Sequence, residues 1–239
     1  MTANNSMLEL VYCDGSLLIA NKPAGLLAVP GRGEDKQDCL SVRIQQQFPD
    51  ALVVHRLDMA TSGLMLFARG IEMQRRLSEM FRERGVEKRY QAVVTGRLDA
   101  ANIHGLPSLA LLQREGKRSP LLPLGEGWEG GWGEVDLPIG ADWPNRPRRK
   151  IDTELGKPSL TRYRLLDQDA DISRVELEPV TGRTHQLRVH MAAIGHPILG
   201  DALYGDAASS HRLLLHACSL SFAHPLSSEL LTMVSAAPF

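Results

Sequence analysis

The stretch Val53-Val54-His55-Arg56-Leu57-Asp58-Met59-Ala60-Thr61-Ser62-Gly63-Leu64-Met65-Leu66-Phe67-Ala68-Arg69 decides how the rest of the chain is read. Leu64 to Ala68 is an unbroken apolar run of strand length, the pattern of a strand covered on both faces, and Val53 and Val54 form a short apolar lead-in. Asp58 stands between the two runs, just before the turn signal Thr61-Ser62-Gly63. If the backbone is extended there, Arg56 and Asp58 fall on one side and His55 and Leu57 on the other. A carboxylate at the lip of a core is either paired, with Arg56 as its nearest candidate, or functional, and the local pattern leaves both readings open.

On the N-terminal side, Leu8 to Tyr12 and Leu17 to Ala20 flank Asp14-Gly15 and read as a β-hairpin. Asn21-Lys22-Pro23-Ala24-Gly25 breaks that pattern, and Asp38 is placed to cap a helix striped by Leu40, Ile44 and Phe48 and stopped by Pro49. On the C-terminal side, Ile71 to Arg84 reads as an amphipathic helix with Met73, Leu77, Met80 and Phe81 on one face, closed by Gly85. Lys88 to Leu98 follows as a strand in which Lys88, Tyr90, Ala92 and Val94 share a side. From Asp99 to Glu134 the periodicity collapses, which reads as a flexible insertion, with a substrate-contacting flap carrying Trp128 and Trp132 as the alternative. Strands are then expected at 135–139, 159–167, 172–180 and 213–222, and Leu187, Met191 and Ile194 stripe a helix closed by Gly195. Helices do not alternate with single strands, so the fold class is α+β with a mixed, mainly antiparallel sheet and flanking helices.

The 239 residues, 43% hydrophobic, suffice for one substantial core, a single domain in two lobes. No apolar run reaches the roughly 18–20 residues that span a bilayer and no signal peptide opens the chain, so a cytoplasmic protein is expected. Cys13, Cys39 and Cys218 support neither a disulfide framework nor a zinc knuckle. A formal charge of −1 excludes a surface coated in basic charge, so any nucleic-acid site must be a local patch. Two patches qualify: Arg82, Arg84, Lys88 and Arg89 before Tyr90, and Arg146, Arg148, Arg149 and Lys150 in Trp143-Pro144-Asn145-Arg146-Pro147-Arg148-Arg149-Lys150. Either is equally readable as a solvated face. His185, His190 and His196 do not have the spacing of metal ligands, and Pro30-Gly31-Arg32-Gly33 matches no phosphate-binding loop. Neither a metal nor a nucleotide cofactor is expected.

Three motifs in order, His55-Arg56-Leu57-Asp58-Met59-Ala60-Thr61-Ser62-Gly63, then Lys88-Arg89-Tyr90, then Thr181 to Gly205 with its Gly182-Arg183-Thr184-His185-Gln186 core, together resemble the pseudouridine synthases. Their content is most similar to the ribosomal large subunit pseudouridine synthase A group, and the likeness covers nearly the whole chain. The resemblance implies a cofactor-free and metal-free isomerase that converts uridine to pseudouridine in large-subunit rRNA and in the tRNA anticodon stem-loop. By matching position, Asp58 resembles the catalytic nucleophile and Arg56 the residue that enters the RNA stack when the target base leaves. Tyr90 resembles the tyrosine that packs on the uracil, a candidate base for the C5 proton. Arg183 resembles the basic partner of the aspartate, and Leu187 the apolar pocket residue. The expected domain is a single catalytic one with a central cleft lined by Asp58, Tyr90 and Arg183; the first strand begins almost at once, so no S4-type RNA-binding module such as many large-subunit synthases carry is expected, and a monomer is the default for such a chain. The insertion at 99–134 is longer than the connection the resemblance implies.

Chemistry agrees with those expectations. Detaching the base leaves charge at the sugar that an ionised carboxylate can support. Burial alone favours the neutral acid, and a nearby guanidinium opposes this. A stacked uridine must be flipped out at a cost of a few kcal/mol, which an inserted side chain and aromatic stacking offset in part. Two other classes stay open: a catalytically idle RNA-binding protein, and a carboxylate-dependent hydrolase.

Overall fold

A computed structural model describes residues 8–98 and 131–239. The expected insertion therefore lies largely outside the described residues. At its C-terminal end Gly133 and Glu134 already belong to a strand, so regular structure resumes before Val135.

The chain divides into two compact units, one of Met1–Lys88 with His216–Phe239 and one of Arg89–Leu215. In the first, β1 (Leu10–Cys13) and β2 (Leu17–Lys22) form the expected hairpin, with Asp14 accepting the N–H groups of Ser16 and Leu17 at 2.6 and 2.8 Å. β2 continues through Asn21 and Lys22, which the sequence pattern assigned to a break, and pairs antiparallel with β4 (Ser62–Arg69). β3 (Ala51–Val53) pairs antiparallel with the end of β4, while β11 (Leu215–Ala223) pairs in parallel with its start, His216 opposite Ser62 and Ala217 opposite Gly63. β12 (Leu230–Val234) adds to β11.

Leu64 to Phe67 are at most 1% exposed, as a strand covered on both faces requires. Helix α2 (Ile71–Arg82) lays Met73 and Leu77 on one face, with Leu17, Ile19, Leu64 and Leu66. Helix α1 (Leu40–Gln47) packs Leu40 and Ile44 on the other, with Leu18, Met65 and Phe67.

One helix end differs from expectation. Cys39, not Asp38, is the N-cap of α1, and it makes no side-chain cap bond. Asp38 instead takes both nitrogens of Arg43, at 2.8 and 2.7 Å, because one residue further from the helix its carboxylate faces that guanidinium. At the other, as expected, Gly85 closes α2 by donating its N–H to Met80 O at 2.8 Å, with Arg84 before it at φ 62°.

The second unit holds β5 (Val86–Thr95) from Arg89 onward, with β10 (Ile172–Pro179), β9 (Leu160–Gln168) and β6 (Gly133–Asp136), each antiparallel to the next. A hairpin of β7 (Ile139–Ala141) and β8 (Arg149–Ile151) carries the basic segment, and helix α3 (Gln186–Ala193) follows β10. The architecture is α+β with a mixed, mainly antiparallel pairing, as the sequence pattern indicated. Among the described residues no helix is long and apolar enough to cross a membrane.

Gly63 is where parallel pairing and the turn meet. Its φ is +114°, and an added Cβ would collide with the backbone of Ala217. Gly63→Ala is expected to cost about 3 kcal/mol of stability by backbone strain and overpacking, measured as a lowered urea midpoint. An unchanged midpoint would mean that β11 does not approach β4 this closely.

Candidate active site

β4 exposes two hydrogen-bonding edges. One is filled along its length by β2, and the other is filled in three pieces. β3 ends opposite Phe67, after which the N–H of Leu66 donates to Nε2 of His55 at 2.9 Å, and β11 takes over at Ser62 and Gly63. The imidazole stands in for a missing strand residue, because a buried N–H needs an acceptor. Its ring stacks on Phe81 of α2, with centroids 4.6 Å apart. Residues 54–61 therefore leave the sheet between β3 and β11, and residues 55–58 are neither helix nor strand. The alternation expected of an extended backbone is replaced by an irregular loop in which Arg56 is exposed, Leu57 is buried and Asp58 is half-buried.

Asp58 is bracketed by two anchors. Leu57 is sunk to 6% exposure on one side. On the other, the carbonyl of Met59 accepts both the N–H of Gly25 at 2.9 Å and the ammonium of Lys22 at 3.0 Å. Lys22 is wholly buried, and its remaining donors reach the carbonyls of Pro23 at 2.9 Å and Leu26 at 2.7 Å. This lysine thus ties the end of β2 to the loop bearing Asp58. Past the turn, closed by Thr61 N–H to Asp58 O at 3.1 Å, buried Ser62 meets His216 Nδ1 at 2.9 Å. Lys22, His55 and His216 were not singled out as functional from sequence. The one available signal was a lysine ending an apolar strand run in front of a proline.

In the second unit, Tyr90 lies on β5 opposite Leu177 of β10 and is half-buried. Arg183 is exposed, on the turn between β10 and α3. That turn is built by Gln186. Its side-chain oxygen accepts from Arg183 N–H at 3.0 Å and Thr181 Oγ1 at 2.7 Å, while its amide donates to Leu160 O at 2.9 Å and Thr161 Oγ1 at 3.0 Å. The Arg183 guanidinium itself donates to Pro158 O at 3.3 Å. His185 adopts φ 58° as the helix N-cap, and Leu187 is among the buried residues of α3. Beneath them, Arg188 binds Asp201 through two 2.7 Å contacts with both residues buried, and Asp201 also accepts the N–H groups of Leu203 and Tyr204. Burial pushes the Asp201 carboxyl up, but Arg188 and these N–H groups outweigh it and hold it below the usual carboxylate range.

Of the expected RNA-binding cations, Arg146, Arg148 and Lys150 are exposed and Arg149 is half-buried. Lys88 lies over the Phe81 ring, and Arg89 faces Glu176 at 3.6 Å and Glu178 at 3.3 Å. His190 and His196 have structural partners: His190 bonds Thr161 Oγ1 and Leu137 O, and His196 Nδ1 lies 2.9 Å from Thr95 O.

A family model described as RNA pseudouridylate synthase matches residues 16–193. The dual-specificity RNA pseudouridine synthase RluA of Escherichia coli (strain K12) is 42% identical over 97% of this chain and 94% of its own. The protein of the same name from Vibrio cholerae serotype O1 is 42% identical over 95% of this chain and 81% of its own. Among solved structures, human RNA Pseudouridylate Synthase Domain Containing 1 is similar at a TM-score of 0.71 and 26% identity, covering 100% of this chain and 87% of that one.

Burial, helped by the Lys88 ammonium, pushes His55 from 6.5 down to about 3, and burial takes His190 to about 4. Both imidazoles stay neutral in the fold while the unfolded chain protonates near pH 6.5. Stability present at neutral pH is therefore lost as pH falls below 6.5 toward those values, at about 1.4 kcal/mol per pH unit for each histidine. His55→Gln, whose side-chain oxygen can still accept from Leu66, is expected to flatten the loss between pH 6 and pH 4 by about one such increment. Chemical denaturation across that range checks it, and an unchanged slope would contradict the neutral assignment.

Proposed function

The chain belongs to the RNA pseudouridylate synthase family and is an RNA pseudouridine synthase, and on that premise we propose that Asp58 is its nucleophile, acting on uridines of both large-subunit rRNA and the tRNA anticodon stem-loop. The reaction breaks the bond from C1′ to N1, turns the base and forms a bond from C1′ to C5. The C5 proton leaves and N1 gains one, so the RNA keeps its mass and no redox partner or cofactor is needed. The Asp58 carboxylate supports the sugar while the base is detached. By their match to the family motifs, Tyr90 is the residue that stacks on the uracil and receives the C5 proton, Arg183 the basic catalytic residue, and Leu187 the apolar residue of the uracil pocket. Arg56, exposed on the Asp58 loop, fills the stack vacated by the flipped base.

The observation that supports this reading best is the bracketing of Asp58 between buried Leu57 and the doubly hydrogen-bonded carbonyl of Met59. A nucleophile gains from a backbone fixed before substrate arrives, and an idle RNA-binding surface has no need of a buried lysine for that purpose. The dual substrate range rests on the 42% identity to relatives named dual-specificity enzymes. For phosphate contacts the hairpin of β7 and β8 is favoured over Arg89, whose charge is offset by two glutamates. The enzyme acts as a single chain in the cytoplasm, where those RNAs reside, and its chemistry does not require residues 99–130.

Asp58→Asn is expected to lower pseudouridine formation at least ~1000-fold on both an anticodon stem-loop and an rRNA fragment while leaving RNA affinity within a few-fold. Wild-type turnover by that variant, scored by chemical mapping of pseudouridine, would remove the nucleophile assignment. A free base or phosphate in mass analysis of the wild-type product would point to hydrolysis. Excising residues 101–128 in favour of a short Gly-Ser linker is expected to retain kcat within about threefold. A large loss in a variant with an unchanged melting midpoint would make the segment part of the substrate site.

A further inference from the structure

The β7–β8 hairpin ends in a loop, residues 142–148, that is exposed from Trp143 onward and internally tied. Asp142 N–H donates to Arg148 O at 3.2 Å, Arg148 N–H to Asn145 O at 2.9 Å, and Asn145 N–H to Asp142 O at 3.2 Å. The Asn145 amide reaches both carboxylate oxygens of Asp142, at 3.1 and 3.0 Å. On this frame Trp143 is held out at 68% exposure, with the guanidinium of Arg146 stacked 3.8 Å from its ring centroid. The base of the hairpin is anchored by Arg149 N–H, which donates to the hydroxyl of Tyr204 at 2.8 Å. The same hydroxyl lies 2.7 Å from His185 Nδ1, two residues from Arg183.

We propose that Trp143 and Arg146 form a stacking platform for an unpaired base of the RNA substrate, away from the base that reacts, with Arg148 and Lys150 on the adjoining phosphates. The proposal rests on the reading of the chain as an RNA-modifying enzyme. A Trp face backed by a guanidinium suits a nucleobase, whose flat π-surface stacks regardless of sequence. Four cations within Arg146 to Lys150 complement a polyanion, although the whole chain carries a net charge of only −1. The loop's own hydrogen bonds mean that little ordering remains to oppose binding. The Tyr204 hydroxyl sets the platform's place relative to the Arg183 turn within one compact unit, so a base docked there fixes the RNA's register on that unit.

The test compares wild type, Trp143→Ala and Trp143→Phe for binding of a fluorescein-labelled anticodon stem-loop and for pseudouridine formation on it. Trp143→Ala is expected to weaken binding and raise KM roughly tenfold with kcat within about twofold, and Trp143→Phe to keep most of the affinity. In a Trp128→Phe/Trp132→Phe protein, the remaining Trp143 fluorescence should be quenched on adding the same RNA. Unchanged affinity in Trp143→Ala, or no quenching, overturns the proposal and leaves the surface to a protein partner. Equal loss in Ala and Phe variants together with a lowered melting midpoint overturns it as well, in favour of a structural role. Weakened binding by Trp143→Ala while wild type forms no pseudouridine would sustain the platform and sink the catalytic reading.

Discussion

The backbone N–H of Leu66 has to be satisfied inside a core where no water reaches, and the first unit is arranged around how that is done. β2 occupies one edge of β4, but the other edge is shared by β3, an imidazole and β11 in succession. Had β3 simply continued, Arg56 and Asp58 would have been strand residues facing neighbours in a sheet. Because His55 caps the edge instead, the chain is released after Val53 and re-enters at Ser62, and the half-buried carboxylate sits on the released segment. Lys22 then removes the freedom the release would otherwise confer. Its three carbonyl partners come from two separate stretches of chain, and a buried ammonium left short of such partners would be costly.

The second unit solves a related problem by different means. The turn after β10 carries the exposed Arg183, and an exposed turn has few apolar contacts to hold it. Gln186 supplies four hydrogen bonds from a single amide, and the Arg188–Asp201 pair secures the helix behind it. A buried ion pair of this kind contributes little net stability compared with apolar residues of the same shape. Removing one partner costs about 3–5 kcal/mol, so the pair defines one geometry more than it strengthens the fold.

Much of this was legible in the sequence. Leu64 to Ala68 announces a strand buried on both faces, and the stripe of Met73 and Leu77 announces α2, because both signals are local and periodic. The three ordered motifs carried the family, which the comparisons bear out. Illegible were the features decided by distant contacts. Lys22 reads as a polar residue breaking a strand until three carbonyls converge on it, and Gly63 reads as a turn residue until β11 is found against it. The start of β6 at Gly133 was hidden because glycine carries no β signal of its own.

The order in which the chain is made has a bearing on the first unit. His216, which bonds Ser62, follows it by 154 positions, so β11 emerges from the ribosome long after β4. At about 5–20 residues per second the start of β4 waits roughly 8–30 s for its parallel neighbour. Throughout that interval Ser62 and Gly63, at the start of β4, lack their partner strand, and an open strand edge is where nascent chains pair wrongly with one another. The Arg89–Leu215 unit is contiguous and can fold during the wait. Assembly is thereby given a sequence: the segment with Arg183 matures first, and the loop with Asp58 gains its last support only when the final strands are synthesised.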